Sequence, residues 1–279
     1  MAEPLELHGV GKRYGPRSPW VLRGVDLRLD PGSLTRVDGA NGSGKSTLLA
    51  LAAGIGRPSR GRVSGGGRRA YVPERLPPVL PFDVAGYLDR LGAVHGLDAA
   101  TTRSRALAWL ERLGAGAWLR TPMATLSKGT AQKVALTQAL MADADLLVLD
   151  EAWTGLDAVT RAVVDEAVEE RVTAGVAVLL VDHQRVARGR PAAVYRVEGT
   201  SVARLPDPPP DLPAASPAGA AAHRDVVEIE YLDGDVPRAV RVAGHASDAL
   251  LRDLLAAPGR HVRSVRTIAA PPADPGAAR

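Results

Sequence analysis

An α/β fold is predicted for residues 1–205 on three observations. Alternating apolar runs take turns with stretches whose apolar residues recur every three or four positions. A glycine-rich loop stands between one strand-like run and one helical stretch. Leu146–Leu149 and Val176–Val181 are apolar throughout, the pattern of strands buried on both faces of a parallel sheet.

The elements follow in order. Leu5–Val10 and Val21–Leu29 alternate as strands, and Leu34–Asp38 is a short strand ending at the glycine loop. Lys45–Ala53 reads as a helix. A second glycine turn, Gly65–Gly67, precedes the strand Ala70–Val72. From Phe82 to Asp143 the pattern is helical, carried by Val84–Leu91, Ser104–Leu113 and Thr130–Met141. The helix Arg161–Arg171 lies between the two buried strands, and Ala192–Val197 and Ser201–Leu205 close the region.

Residues 206–223 are rich in Pro and Ala and read as a linker. Val226–Tyr231 and Arg238–Val242 alternate around an Asp233-Gly234 turn signal, as in a hairpin. Ser247 is placed to cap a helix through Leu255, and His261–Ile268 reads as a third strand. Residues 224–268 are therefore expected to form a small α+β unit, and 269–279 a disordered tail.

Composition narrows the classes. The chain has no cysteine, which excludes disulfides and thiolate metal sites. No signal peptide and no apolar stretch of about 18 residues are visible, so no transmembrane helix is expected. The net charge is +4 and the pI about 9.7. An arginine-rich composition explains this charge, and an anionic membrane face is the other reading. No Lys/Arg run is dense enough for a nucleic-acid tract, so no nucleic acid is expected as a partner.

The chemistry begins in the loop Gly39-Ala40-Asn41-Gly42-Ser43-Gly44-Lys45-Ser46-Thr47. It fits G-x-x-x-x-G-K-[ST] between a strand and a helix. Glycines let backbone N–H groups approach phosphate oxygens, and the helix that follows points its unsatisfied N–H groups at the same charge. Lys45 is expected near the β- and γ-phosphates and the Ser46 hydroxyl on Mg²⁺. Asp150 and Glu151 emerge from the apolar strand Leu146–Leu149. Asp150 is expected to hold Mg²⁺ directly or through water, and Glu151 to orient or deprotonate the attacking water.

The order of these motifs resembles the ATPase subunit of ATP-binding cassette (ABC) transporters. Between loop and acidic strand lies Leu126-Ser127-Lys128-Gly129-Thr130-Ala131-Gln132-Lys133, which resembles that family's signature, usually Leu-Ser-Gly-Gly-Gln. Gly155-Leu156-Asp157 resembles its D-loop, His183 its switch histidine, and Tyr14 the aromatic residue that stacks on adenine. The likeness covers residues 4–205 and implies a P-loop NTPase core with a mixed sheet and an inserted helical subdomain over about 75–143. It implies two cassettes head to tail, a homodimer or a pair of paralogues, with ATP and Mg²⁺ between one subunit's loop and the other's Ser127, Lys128 and Gly129. His183 would then contact the γ-phosphate.

Two positions depart from the family pattern. Lys128 and Thr130 stand where glycine and glutamine are usual, and Lys128 either attracts phosphate or points to solvent. Glu74, in Tyr71-Val72-Pro73-Glu74, replaces the Q-loop glutamine and is expected to bind Mg²⁺ or its water. The resemblance also implies ATP hydrolysis coupled to transport by a separate membrane permease, at the cytoplasmic face of the cell membrane. Arg75–Leu91 falls where that permease docks. The segment from Arg224, with Leu250–Val265, is similar to the appendage of drug-export cassettes; with the Glu74 variant it makes export the expectation, an importer being the other direction. The alternative is a soluble cassette ATPase of translation, repair or assembly.

Overall fold

The computed structural model describes residues 3–77, 80–182, 191–206, 226–233, 236–243 and 260–268. In chain order the first unit runs β1 (Leu5–Lys12), β2 (Leu22–Leu29), β3 (Leu34–Gly39), α1 (Lys45–Ala52), β4 (Arg60–Ser64) and β5 (Arg69–Val72). Then come α2 (Val84–Val94), α3 (Ala99–Arg112), α4 (Lys128–Leu140), β6 (Leu146–Asp150), α5 (Ala158–Thr173), β7 (Ala177–Val181), β8 (Ala193–Glu198) and β9 (Ser201–Arg204).

The two uninterrupted apolar runs, β6 and β7, are buried at every position. They lie in a six-stranded sheet of order β5-β6-β7-β3-β8-β9. It is mixed: β5, β6, β7, β3 and β8 pair in parallel, and β9 runs antiparallel to β8. Side chains alternate across a strand, so each central strand serves two cores. Leu147, Leu149, Val178 and Leu180 pack with Ala135 and Leu136 of α4 and Val164 and Val168 of α5. Leu146, Val148, Ala177 and Leu179 pack with Leu48 and Leu49 of α1 and with Leu7 and Val25 of β1 and β2. A second, antiparallel sheet of order β2-β1-β4 closes that side. The inserted helices build their own core from residues including Val84, Leu88, Leu110 and Val134.

Three helices start earlier than apolar spacing indicates, for one physical reason. α3 starts at Ala99 rather than Ser104 because the Asp98 carboxylate accepts the Thr101 N–H at 2.8 Å. α4 starts at Lys128 rather than Thr130, with the Ser127 hydroxyl accepting the Thr130 N–H at 3.2 Å. α5 starts at Ala158 rather than Arg161, with Asp157 accepting the Thr160 N–H at 2.8 Å. A side-chain cap satisfies a first-turn donor without any apolar residue. Strand β4 was not expected. Its sequence, Arg-Gly-Arg-Val-Ser, has no buried position and is held by pairing with β1.

In the second unit β10 (Val226–Asp233), β11 (Val236–Ala243) and β12 (Arg260–Ile268) form an antiparallel sheet of order β11-β10-β12. Asp233 pairs with Val236 at the end of the expected hairpin. The expected helix Ser247–Leu255, the tail 269–279 and nearly all of the linker lie outside the described residues.

Leu180 is about as buried as a side chain can be and sits on a central strand. Leu180→Ala is expected to cost ~2–5 kcal/mol of stability, as lost transfer energy plus a residual cavity. Denaturant titration followed by circular dichroism measures it.

Candidate functional site

The parallel sheet delivers two strand ends to one place. β3 ends in the glycine loop, and β6, two strands away in the sheet, ends in Asp150. Gly44 is the N-cap of α1 with φ of 106°, a left-handed conformation that admits glycine with little cost. No side chain caps this helix, so its first N–H groups are left for a ligand. A helix start with free donors and a positive dipole end binds anions.

Lys45 is only 6% exposed. Its ammonium donates to the carbonyl oxygens of Gly39 at 2.9 Å and Ala40 at 2.8 Å, so the cation is held across the loop that precedes it. Ser43 Oγ is buried in the same loop without a hydrogen-bond partner. These features suit polyphosphate, which supplies acceptors for an ammonium, a hydroxyl and backbone N–H groups together.

Asp150 is 2% exposed. Burial holds its carboxyl above the usual carboxylate range, and the charges of Glu151 and Glu74 act the same way, opposed by hydrogen bonds from the hydroxyls of Ser46 and Tyr71. Tyr71 Oη lies 3.3 Å from Asp150 Oδ2. Burial raises the Tyr71 phenol too, so it stays a protonated donor. A hydroxyl beside a buried carboxylate is a hard oxygen pair suited to Mg²⁺. Among the described residues no three acidic or imidazole side chains form a metal cage by themselves. Tyr71 was not expected here. Its backbone oxygen accepts from Gln138 Nε2 at 2.6 Å, tying the strand to α4.

Glu151 has φ of 50°, the one positive value at a non-glycine residue among the described residues. Its N–H donates to Val181 O at 3.1 Å, beside the end of β7. Glu74 is half-exposed, pairs with Arg75 at 3.4 Å and acts electrostatically on Asp150 and Tyr71. Tyr14 is 71% exposed. Its hydroxyl meets Thr47 Oγ1 at 3.1 Å and the Lys12 ammonium lies 5.1 Å from its ring centroid, so the ring is tied to the end of the loop.

The signature-like segment stands apart from this constellation. Among the described residues no hydrogen bond or ion pair joins 127–130 to 39–47. The Ser127 hydroxyl caps α4 and shares a second hydrogen bond with Thr130 Oγ1 at 2.8 Å. Lys128 is exposed. A Cβ on Gly129 would lie 2.6 Å from Gly155 O, so this glycine is required by close backbone approach. Asp157 pairs with Lys133 at 3.2 Å, and its carboxyl is pulled down to about 2 by the Thr160 N–H and hydroxyl and by Lys133. His183 lies outside the described residues.

Fold and loop together define a nucleoside-triphosphate-binding α/β domain. A family model described as ABC transporter matches residues 22–154. The zinc import ATP-binding protein ZnuC of Jannaschia sp. (strain CCS1) is 36% identical over 185 residues, 64% of this chain and 72% of that protein. The aliphatic sulfonates import ATP-binding protein SsuB 1 of Rhodococcus jostii (strain RHA1) is 38% identical over 191 residues, 64% of this chain and 72% of that protein. A solved ATP-binding subunit of an ABC transporter superposes with a TM-score of 0.66 at 26% identity, over 73% of this chain and 90% of the other. A dimeric bacterial ABC transporter cassette shares the fold, with a TM-score of 0.62 at 22% identity, over 72% of this chain and 97% of the other. The chain belongs to the family of ABC transporter ATP-binding subunits, and it is an ATPase that binds ATP with Mg²⁺.

The raised Asp150 carboxyl has a consequence for stability. A folded value above the unfolded one means that the stability it contributes is present at acid pH and is lost as pH rises through the folded value. Asp150→Asn is therefore expected to raise the melting temperature of the nucleotide-free, metal-free protein at pH 8. The gain should shrink as pH falls toward ~4, the ordinary carboxylate range. Thermal unfolding at pH 5 and pH 8 measures the difference.

Proposed function

We propose that this chain is the ATP-hydrolysing subunit of a transporter whose membrane-crossing part is a separate permease, and that each ATP is held between two cassettes. The observation that carries this reading is the meeting of two strand ends: the loop after β3, where the Lys45 ammonium is held on the Gly39 and Ala40 carbonyls, and the end of β6, where the Asp150 carboxylate is buried with the Ser46 hydroxyl near enough to act on it. It joins the phosphate loop to the acidic strand at one point. Backbone N–H groups from Gly39 to Thr47 and the Lys45 ammonium bind the phosphates. Ser46 and Asp150 hold Mg²⁺, which neutralises phosphate charge when bound, and Glu74 contributes through water. Glu151 orients or deprotonates water, with His183 at the γ-phosphate, and Tyr14 carries the adenine. The exposed edge of Ser127, Lys128 and Gly129, with Asp157, serves the nucleotide of the partner cassette.

Several features support a separate permease. No described helix is long and apolar enough to cross a membrane. ABC transporter cassettes pair with permeases and with a second cassette, and this chain's place is the cytoplasmic face of such an assembly. The segment 75–91 suits permease docking. Residues 1–205 form the cassette, with the helical insertion over 75–143. Export was expected from Glu74 and the C-terminal segment, but ZnuC and SsuB carry import in their names. Import draws the stronger support, and residues 224–268 are an appendage added to the cassette.

Glu151→Gln is expected to keep ATP affinity, lower the hydrolysis rate by about 10²-fold or more and accumulate an ATP-bound dimer. Wild-type hydrolysis by that variant contradicts the role of Glu151. Lys45→Ala is expected to weaken nucleotide binding or hydrolysis by about 10²-fold, measured with a fluorescent ATP analogue and a phosphate-release assay. Affinity purification of the chain from detergent-solubilised membranes is expected to bring down a multi-span membrane protein; a purely soluble partner contradicts the transporter reading.

A further inference from the structure

Glu151 is held in a left-handed conformation, which costs an L-residue roughly 1–2 kcal/mol. Such a conformation persists only where its surroundings fix it. The residues that follow do this. Glu151, Ala152, Trp153 and Thr154 form a turn closed by the Thr154 N–H donating to Glu151 O at 3.0 Å. Leu156 N–H donates back to Trp153 O at 3.3 Å. Trp153 is 2% exposed and packs in the core shared by β6, β7, α4 and α5. Its indole N–H donates at 2.8 Å to the carboxylate of Asp165, a buried residue on α5. A buried hydrogen bond to a charged acceptor is stronger than a neutral one and fixes direction as well as distance.

We infer that Trp153 is a positioning residue for the carboxylate of Glu151: anchored to Asp165, it locks the 151–154 turn and so sets the backbone from which Glu151 reaches the reacting water. The proposal rests on the reading of Glu151 given above. Ala152 is fully buried beside the anchor, so the turn has no freedom on its core side. Glu151 is left as the half-exposed member of a rigid turn. Misplacement of a catalytic group by about 1 Å costs on the order of 10²-fold in rate, so loss of this anchor appears in turnover rather than in substrate binding.

The test uses the full chain carrying Trp153→Phe, which keeps an aromatic ring in the core and removes the indole donor. The expected result is a kcat about tenfold lower with an unchanged KM for ATP and unchanged affinity for Mg²⁺-ATP. Amide exchange in the nucleotide-free protein supplies a readout independent of activity: the Glu151 and Thr154 N–H groups should exchange faster than in the wild type while β6 and β7 stay protected. Trp153→Phe combined with Asp165→Leu removes the buried carboxylate as well. Its kcat should stay low. Unchanged kcat in Trp153→Phe, or kcat recovering in the double variant, overturns the proposal. Glu151→Gln run in parallel separates the two claims. If it hydrolyses ATP normally, the reading of Glu151 fails. If it is inactive while Trp153→Phe is unimpaired, only the positioning role falls.

Discussion

The closeness of the Ser46 hydroxyl, at the start of α1, to the buried Asp150 carboxylate at the end of β6 is the constraint around which the cassette is arranged. Its two residues are more than a hundred positions apart in sequence, and only the parallel pairing of β3, β7 and β6 brings them together. That pairing demands strands buried on both faces, which explains why β6 and β7 carry no polar residue before Asp150 and Asp182. The resulting carboxylate is surrounded by acidic neighbours and low-dielectric core. It is costly as an isolated charge and well suited to a divalent cation.

The rest of the first unit keeps this contact in place. α1 packs over one face of the sheet through Leu48 and Leu49, which orients the helix start toward the loop. α4 and α5 cover the other face. Their N-terminal caps, Ser127 and Asp157, hold the two segments that touch through Gly129 and Gly155. The start of α4 is capped by the Ser127 hydroxyl, whereas the start of α1 has no side-chain cap.

Much of this was legible in the sequence because the responsible signals are local. The loop 39–47 and the apolar run before Asp150 need only spacing and residue type to be read. Helix starts were less legible at Asp98, Ser127 and Asp157, where capping side chains begin the helix before the apolar rhythm does. Strand β4 carries no buried residue, so no periodicity betrays it. The Tyr71 hydroxyl on Asp150 and the Trp153 indole on Asp165 are contacts between elements, and spacing along the chain is silent about them. The direction of transport is written in none of these residues, because the nucleotide site serves either direction with the same chemistry. Inferring export from Glu74 and the tail asked more of those positions than their physics supplies.

The central claim is that hydrolysis requires two cassettes, since among the described residues no hydrogen bond or ion pair joins the loop to the signature-like segment of one chain. The most direct measurement is the ATPase rate per cassette as the concentration of purified chain is raised at saturating Mg²⁺-ATP. A rate that climbs with concentration and then levels off, in step with dimer formation by light scattering, is the predicted result. A rate per cassette that stays constant while light scattering reports only monomer contradicts it.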